Sequence, residues 1–309
     1  MKLFIHRLIC CASLLSVVPA HSCPAQADRQ SPAMNTAKML ACNGLPCVDI
    51  VTADGKHLKM GLDTGNPTSI LDTNAAKTLG LDVQPYRDAQ GKEVPGVKIA
   101  KLTGVILGTG SLGDVRMVVY DLSKQMTEGT FPKVDGTLAY GLFKNRVVQF
   151  DYAKNLFRYT SVLATSVPCP VAQCGKLSFI PFGQHGPPIV VATTGFTVGG
   201  KPLSVQIDTM FSGTMLVYPT SVDKLGLTVQ SQSKKARHFS FTDEGVDMSE
   251  AGGFKEGFAN ATLLTSAPLY FAGTKVHLPD GLFDGTVGQE LFAGHRLTLD
   301  FSGMNVWMD

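Results

Sequence analysis

The chain repeats itself. Val51-Thr52-Ala53-Asp54-Gly55-Lys56-His57-Leu58-Lys59-Met60-Gly61-Leu62-Asp63-Thr64 lies without a gap over Phe196-Thr197-Val198-Gly199-Gly200-Lys201-Pro202-Leu203-Ser204-Val205-Gln206-Ile207-Asp208-Thr209. Gly55 and Gly200 suit the same hairpin turn. Leu58, Met60 and Leu62 then alternate with Lys59 and Gly61, the pattern of a half-buried strand that ends at an acid. A second matched pair of segments follows: Asp72-Thr73 to Leu79 with Gly80 beyond, and Thr220-Ser221 to Leu225 with Gly226 beyond. Each predicts a short helix with an oxygen-bearing N-cap and a glycine stop. A third pair closes each half. Val134-Asp135-Gly136-Thr137-Leu138 leads to Leu142-Phe143 and Val147 to Tyr152, while Phe283-Asp284-Gly285-Thr286-Val287-Gly288 leads to Leu291-Phe292 and Leu297 to Phe301. Three segments in one order, twice, over a domain-sized unit predict a duplicated lobe and not a solenoid.

Residues 1–22 have a basic start (Lys2, Arg7), a short apolar middle and small residues after it, which predicts a secretory signal too short to span a membrane. Cys23 offers a lipoprotein alternative, although Ala20-His21-Ser22-Cys23 lacks the usual leucine. The leader carries two basic residues and no acid, so the 27 basic residues of the whole chain fall to 25 and match its 25 acids. A near-neutral mature chain gives no case for nucleic acid or anionic lipid as a partner. The 287 residues left are enough for two lobes with their own cores. No later apolar run is long enough for a membrane helix. Frequent Gly (32) and Pro (17), with strand-like alternation at short spacing, point to a mainly β protein.

Beyond the leader and Cys23, four cysteines form two pairs of equal spacing, Cys42 with Cys47 and Cys169 with Cys174, each upstream of its half's first strands. In an exported protein they read as two local disulfides, each stabilising by roughly 2 kcal/mol because the loops are short. A zinc site from the same thiols is the rival reading, with gaps wider than usual. Strands are expected at Val97–Ala100, Gly104–Leu107 and Val115–Val119, and polar loops at Tyr86 to Gly96, a candidate flap, and at Gln230 to Gly253. Gly108-Thr109-Gly110-Ser111-Leu112-Gly113 matches a dinucleotide fingerprint letter for letter, but a strand follows it and no helix, so it reads as a glycine-rich hairpin. The histidines beyond the leader show no metal-ligand spacing, and there is no Gly-x-Ser-x-Gly elbow. Asp135 and Asp284 read as turn caps, Asp151 and Asp300 as strand ends, and Asn260-Ala261-Thr262 as a glycosylation sequon.

Asp63-Thr64-Gly65, followed later by an apolar residue and Asp135-Gly136, resembles the aspartic peptidases, the pepsin-like and retropepsin-like group. The repeat extends the likeness over nearly all of the mature chain. The resemblance implies two homologous β-barrel lobes, at 36–160 and 177–309, joined by a linker at 161–176 that holds the second cysteine pair, with a cleft between the lobes. It implies that Asp63 and Asp208 form a catalytic dyad supported by Thr64, Gly65 and Thr209. Amide hydrolysis then needs one carboxylate to take a proton from water and one carboxyl to protonate the carbonyl oxygen, with no cofactor and no metal. The implied protein is an exported endopeptidase, periplasmic or secreted, a monomer acting on a peptide or protein substrate.

Two departures stand against this. Met210 follows the second hydroxyl residue where the family has glycine, and Ala139 stands where the other half has Gly288. A side chain at 210 asks the loop to rearrange, with Ser212-Gly213 as a possible source of freedom. The alternative is a duplicated scaffold that has lost catalysis through Met210 and binds peptides or envelope partners.

Overall fold

The computed structural model describes residues 32–87, 90–127, 131–163, 166–169, 174–181, 188–198, 201–213, 215–217, 221, 224 and 283–309, and between 228 and 276 it describes only short strands. The predicted leader, Cys23, most of the predicted helix at Thr220–Leu225 and the side chain of Asn260 lie outside the described residues. The protein is mainly β, as composition and alternation require. Among the described residues, no helix is long and apolar enough to cross a membrane.

An eight-stranded sheet is built from the first half. Its strands run in the order Leu40–Cys42, Leu45–Val51, His57–Asp63, Gly136–Ala139, Ile70–Asp72, Gly110–Tyr120, Glu93–Leu107, Gln84–Arg87. Leu45–Val51 also pairs with Glu93–Leu107, through Ile50 with Leu107 and Val51 with Ile106, which closes the sheet on itself. The acid-bearing strand His57–Asp63 runs parallel to the closing strand Gly136–Ala139. That strand runs antiparallel to Ile70–Asp72, which is parallel to Gly110–Tyr120. The second half repeats this directional pattern. Lys201–Ile207 runs parallel to Gly285–Val287, which is antiparallel to Met215–Val217, which is parallel to Asn260–Leu263.

The halves meet in a shared sheet. Met34–Lys38, Leu156–Thr160 and Val147–Asp151 from the first half continue into Arg296–Asp300, Asn305–Met308 and Gly175–Ile180 from the second. Across the junction Gln149 pairs with Thr298, and these two residues are also equivalents in the repeat. A residue can face its own equivalent only where a twofold relation between the halves passes through the pair. Phe150, Phe157, Tyr159, Leu297 and Leu299 are buried around this junction, and Phe150 packs on Phe157 with ring centroids 5.1 Å apart.

Local chemistry explains several elements. Asp72 caps the helix Thr73–Thr78 by accepting from the N–H groups of Asn74 (2.8 Å) and Ala75 (3.3 Å), and Gly80 beyond it takes φ +64°. The expected strands at 97–100 and 104–107 are one strand, Glu93–Leu107, whose pairing shifts between Leu102 and Val105 where Gly104 takes φ +57°. A left-handed glycine makes a bulge and lets a single strand bend without ending. The glycine-rich motif is a tight hairpin in which Leu107 pairs with Gly110. Its glycines admit the first strand: a β-carbon at Gly108 would lie 2.0 Å from the Thr36 carbonyl oxygen, and Thr109 N–H donates to that oxygen at 3.0 Å. At the candidate flap, Gln84–Arg87 pairs antiparallel with Glu93–Leu107, with Arg87 opposite Glu93. The stretch 230–253 is not simply loop, since Thr228–Gln232 pairs with Arg237–Ser240 and Val246–Met248 pairs with Phe254–Glu256. Polar composition hid these strands because their alternation is weak. Both cysteine pairs are joined, Cys42 to Cys47 and Cys169 to Cys174.

Asp72 does more than cap its helix, because its other oxygen accepts from Leu122 N–H at 3.1 Å and the residue is only 4% exposed. Replacing Asp72 by alanine leaves three backbone donors without that acceptor and is expected to cost about 2 kcal/mol or more, while Asp72→Asn keeps most of the stability. Denaturant unfolding of the two variants checks this; equal midpoints for Asp72→Ala and the parent would refute it.

Candidate active site

The two acids stand at equivalent places, Asp63 at the end of His57–Asp63 and Asp208 just after Lys201–Ile207. What fixes them is an exchange between the next residues. Thr64 Oγ1 donates to the Ile207 carbonyl at 2.7 Å, and Thr209 Oγ1 donates to the Leu62 carbonyl at 2.5 Å. Thr64 N–H donates to Thr209 Oγ1, and Thr209 N–H to Thr64 Oγ1, both at 3.1 Å. Each hydroxyl therefore gives one hydrogen bond and receives one across the junction. Thr64 is 4% exposed and Thr209 fully buried, so an unmade bond here would leave polar groups stranded away from water. The β-branch leaves each threonine few rotamers, which suits it to a fixed strut.

The carboxyls are held by the turns that follow. Gly65 N–H donates to Asp63 Oδ1 at 3.0 Å, and Met210 N–H donates to Asp208 Oδ1 at 2.8 Å. Gly65 also explains its own identity. A β-carbon there would sit 2.5 Å from Cγ of Asp208 and 2.6 and 2.9 Å from its two oxygens. The Gly65 peptide thus lies between the two acids, bonded to one and packed on the other. At the other turn Met210 keeps the backbone bond to Asp208, and its side chain is buried at 8% exposure with its tip over Gly61. The turn keeps its backbone bond to the aspartate with the methionine in place, and the side chain occupies a space that Gly61 leaves open.

Burial raises both carboxyl pKa values. Asp63 is pushed well above the usual carboxylate range, first by desolvation and then by the charge of Asp208, against the opposing hydrogen bonds from Gly65 and Asn66. Desolvation lifts Asp208 to about 6 in spite of hydrogen bonds from Met210 and Phe211. Two like acids that feel each other's charge release their protons as a pair, the second against the charge left by the first.

The remaining sequence candidates take supporting places. Asp135 accepts from Lys59 N–H at 2.8 Å, and its equivalent Asp284 accepts from Ser204 N–H at 2.9 Å, from Ser221 Oγ and from Lys224 Nζ. These two acids tie the closing segments to the acid-bearing strands and stand outside the pair. Asp151 and Asp300 end their strands in the shared sheet. Among the described residues, no cluster of three or more His, Cys, Asp and Glu could hold a metal. Sequence reading missed Ser69, whose Oγ accepts from Ala139 N–H at 3.0 Å, and Gln206, whose Nε2 donates to the Gly65 carbonyl at 2.8 Å. Only Gln206 left a signal, an amide amid the apolar run Val205-Gln206-Ile207.

No protein-family model matches the chain, and no curated protein matches its sequence. Among solved structures it is similar to a retropepsin-like aspartic protease from Rickettsia conorii at 16% identity and TM-score 0.30, over 43% of this chain and 96% of that one. It is also similar to the structure named edgp at 10% identity and TM-score 0.44, over 90% of this chain and 94% of that one.

Proposed function

We propose that the chain is an exported aspartic-type endopeptidase with two β-barrel lobes, acting as a monomer on an extended peptide or unfolded protein. The observation that carries this reading is the pair Asp63 and Asp208, two half-buried acids on equivalent turns, with a reciprocal threonine brace beneath them and raised pKa values. Thr64, Gly65 and Thr209 support the pair. The leader at 1–22 and the two disulfides fit an oxidising compartment outside the cytoplasm.

The chemistry follows from one shared proton. The ionised carboxylate takes a proton from a water lying between the acids as its oxygen attacks the amide carbon. The protonated carboxyl gives its proton to the carbonyl oxygen, so no free oxyanion forms. The resulting diol collapses when a proton passes to the amine, and the C–N bond breaks, leaving an acid and an amine. Substrate backbone paired along strand edges would hold the peptide, with side-chain pockets setting preference. Met210 does not favour the inactive scaffold, because its N–H makes the same bond to its aspartate as Gly65 makes to Asp63.

Asp63→Asn and Asp208→Asn are each expected to lower hydrolysis of a denatured protein, at a pH where the parent's pair holds a single proton, by about three orders of magnitude or more, with circular dichroism unchanged. Full activity in either variant would sink the proposal. Activity should also fall as pH rises past the raised carboxyl pKa, when the shared proton is lost.

Stability has its own pH signature. The folded chain holds the pair's protons more tightly than the unfolded chain does, so this contribution to stability is fullest below the ordinary carboxylate pKa of 3.8 and declines as pH rises through about 6 and on through the raised pKa of Asp63. Asp208→Asn should flatten that decline and stabilise the protein at neutral pH by on the order of 2 kcal/mol. Unfolding curves from pH 3 to 8 (about the range needed to span both values) test this; parallel profiles for variant and parent would contradict it.

A further inference from the structure

Two exchanges of side chain separate the halves at the acidic pair. Position 61 on the first acid-bearing strand is glycine, and its equivalent on the second is Gln206. Position 65 after the first acid is glycine, and its equivalent is Met210. The structure pairs these four residues crosswise. Gln206 reaches over to the Gly65 carbonyl, and Met210 reaches over to Gly61, where a β-carbon would meet its methyl at 2.8 Å and its sulfur at 2.9 Å. Each junction thus contains one glycine and one long side chain, with the long side chain on the strand in one case and on the turn in the other.

The neighbours record the same exchange. Thr286 is the parallel register partner of Gln206, and its Oγ1 donates to Gln206 Oε1 at 3.3 Å. Thr137 is the parallel register partner of Gly61 and the repeat equivalent of Thr286. Its Oγ1 is buried and has no hydrogen-bond partner among the described residues, and its Cγ2 methyl faces the space over Gly61. An orphaned hydroxyl is what remains when the amide that should meet it has been replaced by a glycine and a thioether.

We infer that Gln206 and Met210 are the positioning residues of the acidic pair, holding the two turns by opposite means. Gln206 pins the Gly65 peptide by a hydrogen bond to its carbonyl, and so aims the N–H that reaches Asp63. Met210 anchors its own peptide by filling the hollow over Gly61, and so aims the N–H that reaches Asp208. A flexible thioether is suited to filling an irregular gap. Methionine at 210 is therefore matched to glycine at 61, and one cannot be changed alone. The end of Met210 could swing aside for an alanine at 61, but a glutamine there needs the volume Met210 occupies.

The inference rests on the peptidase reading for its kinetic readout only. The structural arm compares Gly61→Gln, Met210→Gly and the double variant by thermal unfolding. Gly61→Gln should be strongly destabilised, and Met210→Gly should lose several degrees through the cavity it leaves. The double variant should melt above Met210→Gly, since the new glutamine fills the hollow and meets Thr137 Oγ1. A double variant that melts at or below Met210→Gly overturns the pairing, whether or not Gly61→Gln folds. The kinetic arm uses Gln206→Met, which keeps the length and removes the donor. Its kcat should fall about tenfold with KM little changed. The upper limb of the pH profile should move to higher pH, because the Gly65 hydrogen bond that lowers the Asp63 pKa is weakened. A fall in melting temperature with an unmoved limb would leave Gln206 a packing role and overturn its assignment. If the parent hydrolyses nothing, the peptidase reading fails by itself. The limb is then read from the pH dependence of unfolding, which needs no substrate.

Discussion

Everything at the site depends on the reciprocal hydrogen bonds between Thr64 and Thr209. Four backbone groups from opposite halves, the N–H groups of both threonines and the carbonyls of Leu62 and Ile207, are satisfied by two hydroxyls. The arrangement has no slack, since each hydroxyl has one proton to give and each gives it across the junction. Any relative shift of the halves would strand several buried polar groups at once. The shared sheet sets the register that makes this possible, with Gln149 against Thr298 at its centre.

That rigidity is needed because the carboxyls above it do not favour each other's company. Desolvation and like charge both work against ionising the pair, and the amides of Gly65 and Met210 offset only part of this. The fold holds the acids in place against that resistance, and the outcome is a proton retained at pH values where an exposed aspartate has none. Gly65 has no room for even a methyl group beside Asp208.

Much of the architecture was legible because it is written twice. Apolar alternation located the acid-bearing strands, and Asp72 and Gly80 marked the ends of a helix that runs Thr73–Thr78. Reading failed where local patterns were ambiguous. Glu93–Leu107 reads as two strands because a glycine in the middle looks like an end, whereas the partner strand carries pairing through the bulge. Thr228–Gln232 and Arg237–Ser240 read as loop because polar residues dominate them, and pairing with a neighbour overrides that weak local preference.

By itself the sequence determined a mainly β chain with a duplicated order of segments, and named Asp63 and Asp208 as equivalents. Spacing along a chain encodes local periodicity, and periodicity was enough for that. Which side chain faces which across the junction was decided only in three dimensions. Met210 is separated from Gly61, and Gln206 from Gly65, by well over a hundred residues, and neither pair leaves a local pattern. Read alone, Met210 is a departure from a motif; folded, it is the complement of a missing side chain on the opposite strand, because close packing makes the volume at one position depend on the volume facing it.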